Sequence, residues 1–328
     1  MSATQMGGSH PYLVMFMSID ISGSTAFKRE HPNEWMDIFH SNFFIGAGQL
    51  LRNFWRQKCR ALHGPRSKRT PGRGSLEAMA PAVWKTNGDE ILFHLQIEEL
   101  SQVWIALDAF TEFVKYAMDK LESAKLLTPG PSGLSAKGCA WLGNFPEFNK
   151  RISVADLMRG ANRRSYSGTP GGSVESTASH QVTAIPEYLG PSIDAGFRIA
   201  GYAERNRLVI SIELAIAVLR LADIFRKPNN LELMYEEGEP LKGILPGIEF
   251  YPRIVIDLNT GRSETEHIRA LRRSFRHGYD EYDIIRDACK YFIRTYPSRF
   301  FDVDTFFDRD PIYTKDPPAP EVGGLLPG

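Results

Sequence analysis

The most constraining feature of the sequence is a short apolar segment near its start that ends in a carboxylate. Residues 12–20 read YLVMFMSID, and the chain continues as ISGST. An apolar run of this length, bounded by turn-forming residues, is typical of a strand buried in the middle of a sheet. Standing alone, an acid at the end of such a strand is an ordinary turn or cap. Its meaning therefore depends on the other motifs of the chain.

The remaining apolar patterns predict an α+β fold. Helical spacing of apolar residues predicts helices at 32–58, 99–126, 194–204, 212–225 and 266–294. Short apolar runs predict strands at 82–85, 90–96, 134–142 and 208–210, with two more within 231–256. Because strands and helices mix without strict alternation, the pattern favours a sheet with helices packed on it.

The composition gives no support to a nucleic-acid or membrane partner. The 328 residues include 39 basic and 39 acidic side chains, so no strongly charged surface is indicated. The amino terminus lacks the basic and apolar regions of a signal peptide, and no apolar run has membrane-spanning length. The three cysteines are widely spaced, which fits a reducing compartment. We therefore expect a cytoplasmic protein.

Three further motifs follow the first along the chain. Asp89 lies in WKTNGDE, where the Asn-Gly pair is typical of a tight hairpin between two strands. Residues 187–198 read EYLGPSIDAGFR and are followed by the strand-like run NRLVIS. The fourth motif is a Lys-Gly turn at Lys242. Each of these is common by itself, and it is their order and spacing that carry information.

Together the four motifs resemble those of the class III nucleotidyl cyclases, the adenylate and guanylate cyclase family. That family has a strand ending in Asp-Ile-x-Gly-[Phe/Ser]-Thr, a hairpin with Lys-x-x-Gly-Asp, an acid-x-x-Gly-x-x-[Val/Ile]-Asn-x-Ala-x-Arg block and a Lys-Gly turn. The resemblance spans residues 11–256 and implies a ferredoxin-like, mixed and largely antiparallel sheet. It divides the chain into a tail (1–10), a catalytic domain (11–257) and a C-terminal extension (258–328) with a helix and a proline-rich end.

The resemblance also implies the residues of a two-metal site. Two carboxylates at adjacent strand ends suit hard cations such as Mg²⁺ or Mn²⁺, which activate the ribose 3′-hydroxyl and neutralise charge during phosphoryl transfer. The implied metal ligands are Asp20, Asp89 and the carbonyl of Ile21, holding two ions per site. The implied phosphate contacts are the backbone amides of Ser22, Gly23, Ser24 and Thr25, with the side chains of Arg198 and Lys242. In the family the arginine and lysine come from the partner subunit, so a homodimer is implied.

The identity of the base rests largely on two positions, Lys85 and Glu187, and Asp194 lies at a position that in the family contacts the ribose. A lysine and an acid at the first two resemble adenylate cyclases more than guanylate cyclases. Asp194, however, replaces the family's ribose-binding asparagine, and Gly196-Phe197 replaces a pair of small residues. The chain also carries a C-terminal extension of its own and has no sensor domain. Together with these departures, both features resemble the Pycsar pyrimidine cyclases of bacterial anti-phage defence. The product is then cyclic UMP or cyclic CMP, with UTP the favoured substrate, and a separate effector protein is the receptor of the product.

Two alternatives stay open on the sequence alone. An adenylate cyclase would use the same Lys85 and Glu187 on adenine. A cyclase-fold module without catalysis would bind nucleotide as a regulator. Such modules usually lose a metal ligand or the arginine, whereas Asp20, Asp89 and Arg198 are all present here.

Overall fold

A seven-stranded mixed sheet organises the part of the chain that the computed structural model describes, namely residues 10–63, 79–124, 134–153, 186–225, 231, 233–241, 250–258 and 281–308. The strands are β1 (Tyr12–Ser22), β2 (Ala82–Asn87), β3 (Glu90–Ile97), β4 (Ser135–Phe145), β5 (Lys150–Ser153), β6 (Pro186–Leu189), β7 (Arg207–Ile210), β8 (Leu233–Glu239) and β9 (Tyr251–Asp257). The helices are α1 (Ser24–Glu30), α2 (Trp35–Phe39), α3 (Ala47–His63), α4 (Ser101–Ala124), α5 (Pro191–Ala200), α6 (Ile212–Phe225), α7 (Glu281–Thr295) and α8 (Asp304–Phe307).

The strand order places the first motif in the middle of the sheet. The order is β2-β3-β1-β4-β7-β9-β8, and β5 and β6 form a separate two-stranded sheet. β1 pairs antiparallel with β3 on one side and β4 on the other, while β4 and β7 run parallel. The predicted α+β architecture with a mixed, largely antiparallel sheet is therefore confirmed, and so is the central, buried position of the first strand.

The helix boundaries differ from those predicted, most clearly in the first helix and at the start of α5. The helix expected over 32–58 is divided, because α2 passes into a π-helical turn at His40–Phe44 and Gly46 has a left-handed φ of 75° before α3 begins. The apolar spacing survives this break, since Phe39 and Leu51 are both buried. α5 begins at Pro191, three residues before the predicted start, because proline suits the first helical position. Residues 266–280 of the last predicted helix lie outside the described residues.

The two faces of the sheet carry different layers. Met17 and Ile19 of β1 face α4, whose Phe110 and Val114 side chains pack against Gly138 of β4. The opposite face carries an aromatic layer, within which Phe16 lies at the centre. Its members, which we call the aromatic layer throughout, are Phe16, Trp84, Trp141, Phe145, Tyr188 and Phe197. α5 and β6 lie on this second face.

The C-terminal helix belongs to the same hydrophobic core. Ile285 and Cys289 of α7 are fully buried, and Phe292 contacts the ring of Tyr251 on β9. None of the three cysteines takes part in a disulfide, as their spacing predicted. Among the described residues, no helix combines the length and the hydrophobicity that a membrane span requires.

Gly196 allows α5 to lie directly on the sheet. A β-carbon at this position would come within 2.2 Å of the Trp141 ring, which is almost completely buried and has no room to shift. This close approach explains why glycine stands in the third motif. It also places the neighbouring Phe197 against Trp141, with ring centroids 5.8 Å apart.

We predict that Gly196→Ala lowers the free energy of unfolding by about 2 kcal/mol, because the added methyl group overpacks the interface between α5 and β4. Urea denaturation of both proteins measures this. Gly201→Ala is the matched control, since its β-carbon would approach only the Arg198 carbonyl oxygen, at 3.1 Å. Equal stability of Gly196→Ala and the wild type would contradict the close packing of α5.

Candidate active site

A row of charged side chains crosses three strands at the end of the aromatic layer. Along β1, side chains two residues apart share one face of the sheet, so Phe16 is followed on that face by Ser18 and then by Asp20. In the register of the sheet, Asp20 is directly opposite Glu90 of β3 and Lys137 of β4. Two positions beyond Phe16 on this face, the hydrophobic layer is thus replaced by Asp20, which lies between the acid Glu90 and the base Lys137.

The second predicted metal ligand lies beside this row. β2 and β3 are joined by the two-residue turn Gly88-Asp89, in which Gly88 has a φ of 64°. The predicted tight hairpin is present, but its turn lies one residue later than predicted, with Gly88 and not Asn87 at the first central position. The hairpin brings Asp89 to a cleft of about 470 Å³ that Asp20 also lines. The sheet therefore places the two motif acids at one site, although 69 residues separate them in the sequence.

Each of these two acids faces a lysine. Lys137 Nζ lies 3.1 Å from Asp20 Oδ2, and the two side chains are 26% and 29% exposed. Lys28 Nζ lies 3.7 Å from Asp89 Oδ2 and also lies over the ring of Trp35, 5.0 Å from its centroid. The negative charge of the cleft is thus balanced by ammonium groups of the same chain.

The pKa of Asp20 reports the electrostatics of the cleft. Burial raises the pKa of this carboxyl above its usual value, and the nearby charge of Asp89 raises it further. The hydrogen bond and the positive charge of Lys137, together with a backbone hydrogen bond from Ile21, act in the opposite direction. The raised pKa means that the protein holds the ionised form of Asp20 at a cost, which a bound cation would offset.

Glu90 and Lys137 are site residues that the sequence did not identify. Glu90 lines the same cleft and is held in place by the Ser18 hydroxyl, which donates a hydrogen bond to its Oε1 atom. The Asn87 amide lies 3.4 Å from the other carboxylate oxygen. Lys137 is the one charged residue of β4, in the run SAKGCAWLGNF. A lone charge inside an apolar strand was the available signal, because lysine is rarely placed there without a partner.

The predicted phosphate loop forms a tight junction directly after Asp20. Gly23 has a left-handed φ of 81°, and α1 begins at Ser24. The side chain of Ser24 is buried, whereas Gly23 and Thr25 are exposed at the surface. The chain therefore turns sharply beside the acid and leaves Gly23 accessible, and phosphate binding by residues 22–25 stays a prediction.

The two predicted base-binding residues form an ion pair. Lys85 Nζ lies 3.1 Å from Glu187 Oε2, and both side chains are about one-third exposed. The Trp84 indole donates a 2.8 Å hydrogen bond to the Pro186 carbonyl, which fixes β6 beside β2. Phe197, which lines the cleft, has its ring centroid 5.8 Å from Lys85 Nζ. The fold thus brings Lys85 and Glu187 into direct contact, two residues that only the family resemblance had grouped.

Two further predicted residues, Asp194 and Arg198, are not among the described residues that line the cleft with Asp20. Both are exposed on α5, one helical turn apart. Lys242 lies outside the described residues.

The donor set of the cleft fits a divalent cation of the Mg²⁺ type. Among the described residues there is no group of three or more histidine, cysteine, aspartate or glutamate side chains placed to hold one metal ion. A site here would therefore use Asp20, Asp89, backbone carbonyl oxygen and oxygens of water or substrate. Mg²⁺ commonly binds in this manner, with one or two carboxylates, several waters and substrate phosphates.

We predict that Asp89→Asn lowers the pKa of Asp20, because it removes a negative charge that raises it. Carboxyl ¹³C NMR titration in the absence of divalent cations measures the change. Glu187→Gln is the matched control and leaves the pKa of Asp20 unaltered, since Glu187 pairs with Lys85 elsewhere. An unchanged pKa in Asp89→Asn would contradict the electrostatic contact between the two acids.

Comparison with known proteins gives matches in structure only. No protein-family model matches the chain, and no curated protein matches it. The guanylyl cyclase Cya2 is 12% identical, covering 76% of this chain and 93% of its own, with a TM-score of 0.42. The adenylyl cyclase CyaB from P. aeruginosa is 11% identical, covering 76% and 95%, with a TM-score of 0.44. Adenylate cyclases from Trypanosoma brucei are 12% identical, covering 76% and 91%, with a TM-score of 0.42. All three of these structures are of adenylyl or guanylyl cyclases.

Proposed function

We propose that this chain is a class III nucleotidyl cyclase, which converts a nucleoside triphosphate into a 3′,5′-cyclic nucleotide and pyrophosphate. The observation that carries the proposal is the meeting of Asp20 and Asp89 in one cleft. They come from two separate motifs, and a sharp glycine turn with an accessible backbone follows the first of them. That combination suits a substrate that carries phosphates and divalent cations.

The reaction needs charge control more than covalent chemistry. The ribose 3′-oxygen attacks the α-phosphorus and loses its proton, while the bond to the pyrophosphate oxygen breaks. Bound Mg²⁺ or Mn²⁺ would lower the pKa of the 3′-hydroxyl and neutralise charge on the phosphates. Asp20, Asp89 and the Ile21 carbonyl would hold these ions, and the backbone of residues 22–25 would orient the triphosphate.

The position of Arg198 supports a site shared between two subunits. Arg198 is exposed on α5 and lies outside the cleft that Asp20 and Asp89 line. In a two-fold dimer, the arginine of one protomer reaches the acids of the other, and the symmetry creates two equal sites. Arg198 would stabilise the transferring phosphate, and Lys242 would contact the outer phosphates.

UTP is the favoured substrate in this proposal. Phe197 adds an aromatic wall to the cleft where the family has a small residue, which suits a base smaller than a purine. Lys85 would donate to a uracil carbonyl, and Glu187 would accept from N3–H. Asp194 would face the ribose. Cyclic UMP would then act on a separate effector in anti-phage defence, a role that rests on the sequence resemblance to the pyrimidine cyclases.

An adenylate cyclase is the second candidate, and the Lys85–Glu187 pair is the observation that favours it. Lys85 can donate to N1 of adenine while Glu187 accepts from the exocyclic amine. The pair is formed and partly exposed, so both partners are available to either base.

We predict that the purified protein forms a cyclic nucleotide in the presence of Mn²⁺ and that Asp20→Ala and Asp89→Ala abolish this activity. Each substitution removes one of two carboxylate ligands. Product analysis after incubation with each of the four nucleoside triphosphates is the measurement. Asp119→Ala, at an exposed position of α4, is the control that keeps full activity. Turnover by Asp89→Ala above about a tenth of the wild-type rate would contradict the role of Asp89.

The same assay with equal ATP and UTP distinguishes the two candidate substrates. Cyclic UMP as the main product supports the first proposal, and cyclic AMP supports the second. Glu187→Ala is expected to weaken the preference in either case, because a site that hydrogen-bonds one base rejects another through unpaired polar groups. An unchanged preference would remove Glu187 from the base site.

We predict that two inactive variants restore activity when they are mixed. Asp20→Ala lacks one half of the shared site and Arg198→Ala lacks the other. After subunit exchange, half of the dimers are mixed and each has one intact site, so recovery reaches up to about a quarter of wild-type activity. Mass spectrometry of labelled subunits verifies exchange. No recovery despite demonstrated exchange would contradict the shared site.

A further inference from the structure

We infer that Lys137 is an internal counterion of Asp20 that lowers the affinity of the nucleotide-free cleft for divalent cations. The inference rests on the proposed function in that it takes Asp20 and Asp89 as the metal ligands. It concerns a residue of the sheet that lies outside the four sequence motifs. Its consequence is that the metal enters the cleft together with a triphosphate.

The register of the sheet builds this contact. Lys137 is directly opposite Asp20 in the β1–β4 pairing, so both side chains project from the same face. Their 3.1 Å separation is a direct ion pair. The ammonium of Lys137 also donates a hydrogen bond to the Asp20 carboxylate. A metal ion bound to Asp20 would replace this ammonium or share the carboxylate with it, and in the second case the ammonium would repel the ion.

The charges of the cleft show why the replacement is unfavourable without substrate. Asp20, Asp89 and Glu90 contribute three negative charges, and Lys28 and Lys137 contribute two positive charges, which leaves one net negative charge. One divalent cation would make the cleft positive, and a second would make it strongly positive. A triphosphate brings several negative charges of its own, so cations that arrive with it restore the balance.

The contact is also weak enough to be exchanged. Both side chains are more than one-quarter exposed, and ion pairs of this kind contribute little to stability. A lysine has a long, flexible stem, so its ammonium can leave the carboxylate while staying in the cleft. Lys28 is a less effective counterion, because its distance to Asp89 is 3.7 Å and it also contacts the Trp35 ring.

The test measures Mn²⁺ binding to the nucleotide-free protein. The electron paramagnetic resonance signal of free Mn²⁺ reports how much of the ion stays unbound. Lys137→Met is expected to bind Mn²⁺ about tenfold more tightly than the wild type, because a positive charge next to the ion is removed. Adding Asp20→Asn to that variant is expected to abolish the gain. The measurement does not depend on cyclase activity, so a failure of the proposed function and a failure of this inference are distinguishable.

Two controls test whether a change in Mn²⁺ affinity comes from the charge of Lys137. One keeps the charge at this position, and the other removes a lysine elsewhere in the protein. Lys137→Arg keeps the charge and is expected to bind Mn²⁺ with wild-type affinity. Lys58→Met removes a lysine that pairs with Asp108 at 2.9 Å away from the cleft, and its affinity is expected to be unchanged. Lys137→Gln replaces Lys137→Met if the latter does not fold. The inference is wrong if the neutral variant binds no more tightly than the wild type, or if the gain persists without Asp20.

Discussion

The stacking of aromatic rings on one face of the sheet is the interaction on which the arrangement of the site depends. Phe16 stacks on Trp141 at 5.5 Å and meets the edge of Tyr188 at 5.0 Å, while Trp84 meets Tyr188 at 5.2 Å. These contacts join β1 and β4 to β2 and to β6, and Phe197 extends them to α5. Glu187, Arg198 and the Gly196 contact are therefore all positioned by the aromatic layer, whose rings are buried except for that of Phe197. The buried aromatic area supplies far more stabilisation than the partly exposed ion pairs above it.

The cleft is the open end of this layer. Asp20 is four residues beyond Phe16 on the same strand face, a distance of about 13 Å along the strand. At that point neighbouring rings no longer cover the sheet, and the cross-strand partners become Glu90 and Lys137. The half-buried Asp20 carboxylate is tolerated there because the Lys137 ammonium of the adjacent strand lies 3.1 Å from it. Consecutive segments of a single strand, β1, thus contribute to the hydrophobic layer and to the polar site.

The sequence was sufficient for the features that depend on local pattern. The apolar run to Asp20 predicted a central strand, and Asn-Gly predicted the hairpin that carries Asp89. Glu90 and Lys137 were not identified because their role depends on the strand register. The register decides which residues lie opposite Asp20, and a shift of one residue would abolish this arrangement. The division of the helix over 32–58 was missed for a related reason, since the apolar spacing continues across the π-helical turn. The Lys85–Glu187 pair came from the family resemblance and not from physical reasoning, because 102 residues separate the two.

The C-terminal helix has a consequence for how the chain can vary. Tyr251 accepts a hydrogen bond from the first amide of α6 and contacts Phe292 and Phe300, while Cys289 is fully buried nearby. A chain that ended after β9 would uncover these apolar side chains and loosen the start of α6. The segment is therefore not a detachable module. If recombination exchanged this C-terminal segment between proteins, it would also have to exchange the surfaces of α6 and β9 that match it. The segment and these surfaces are therefore expected to diverge together.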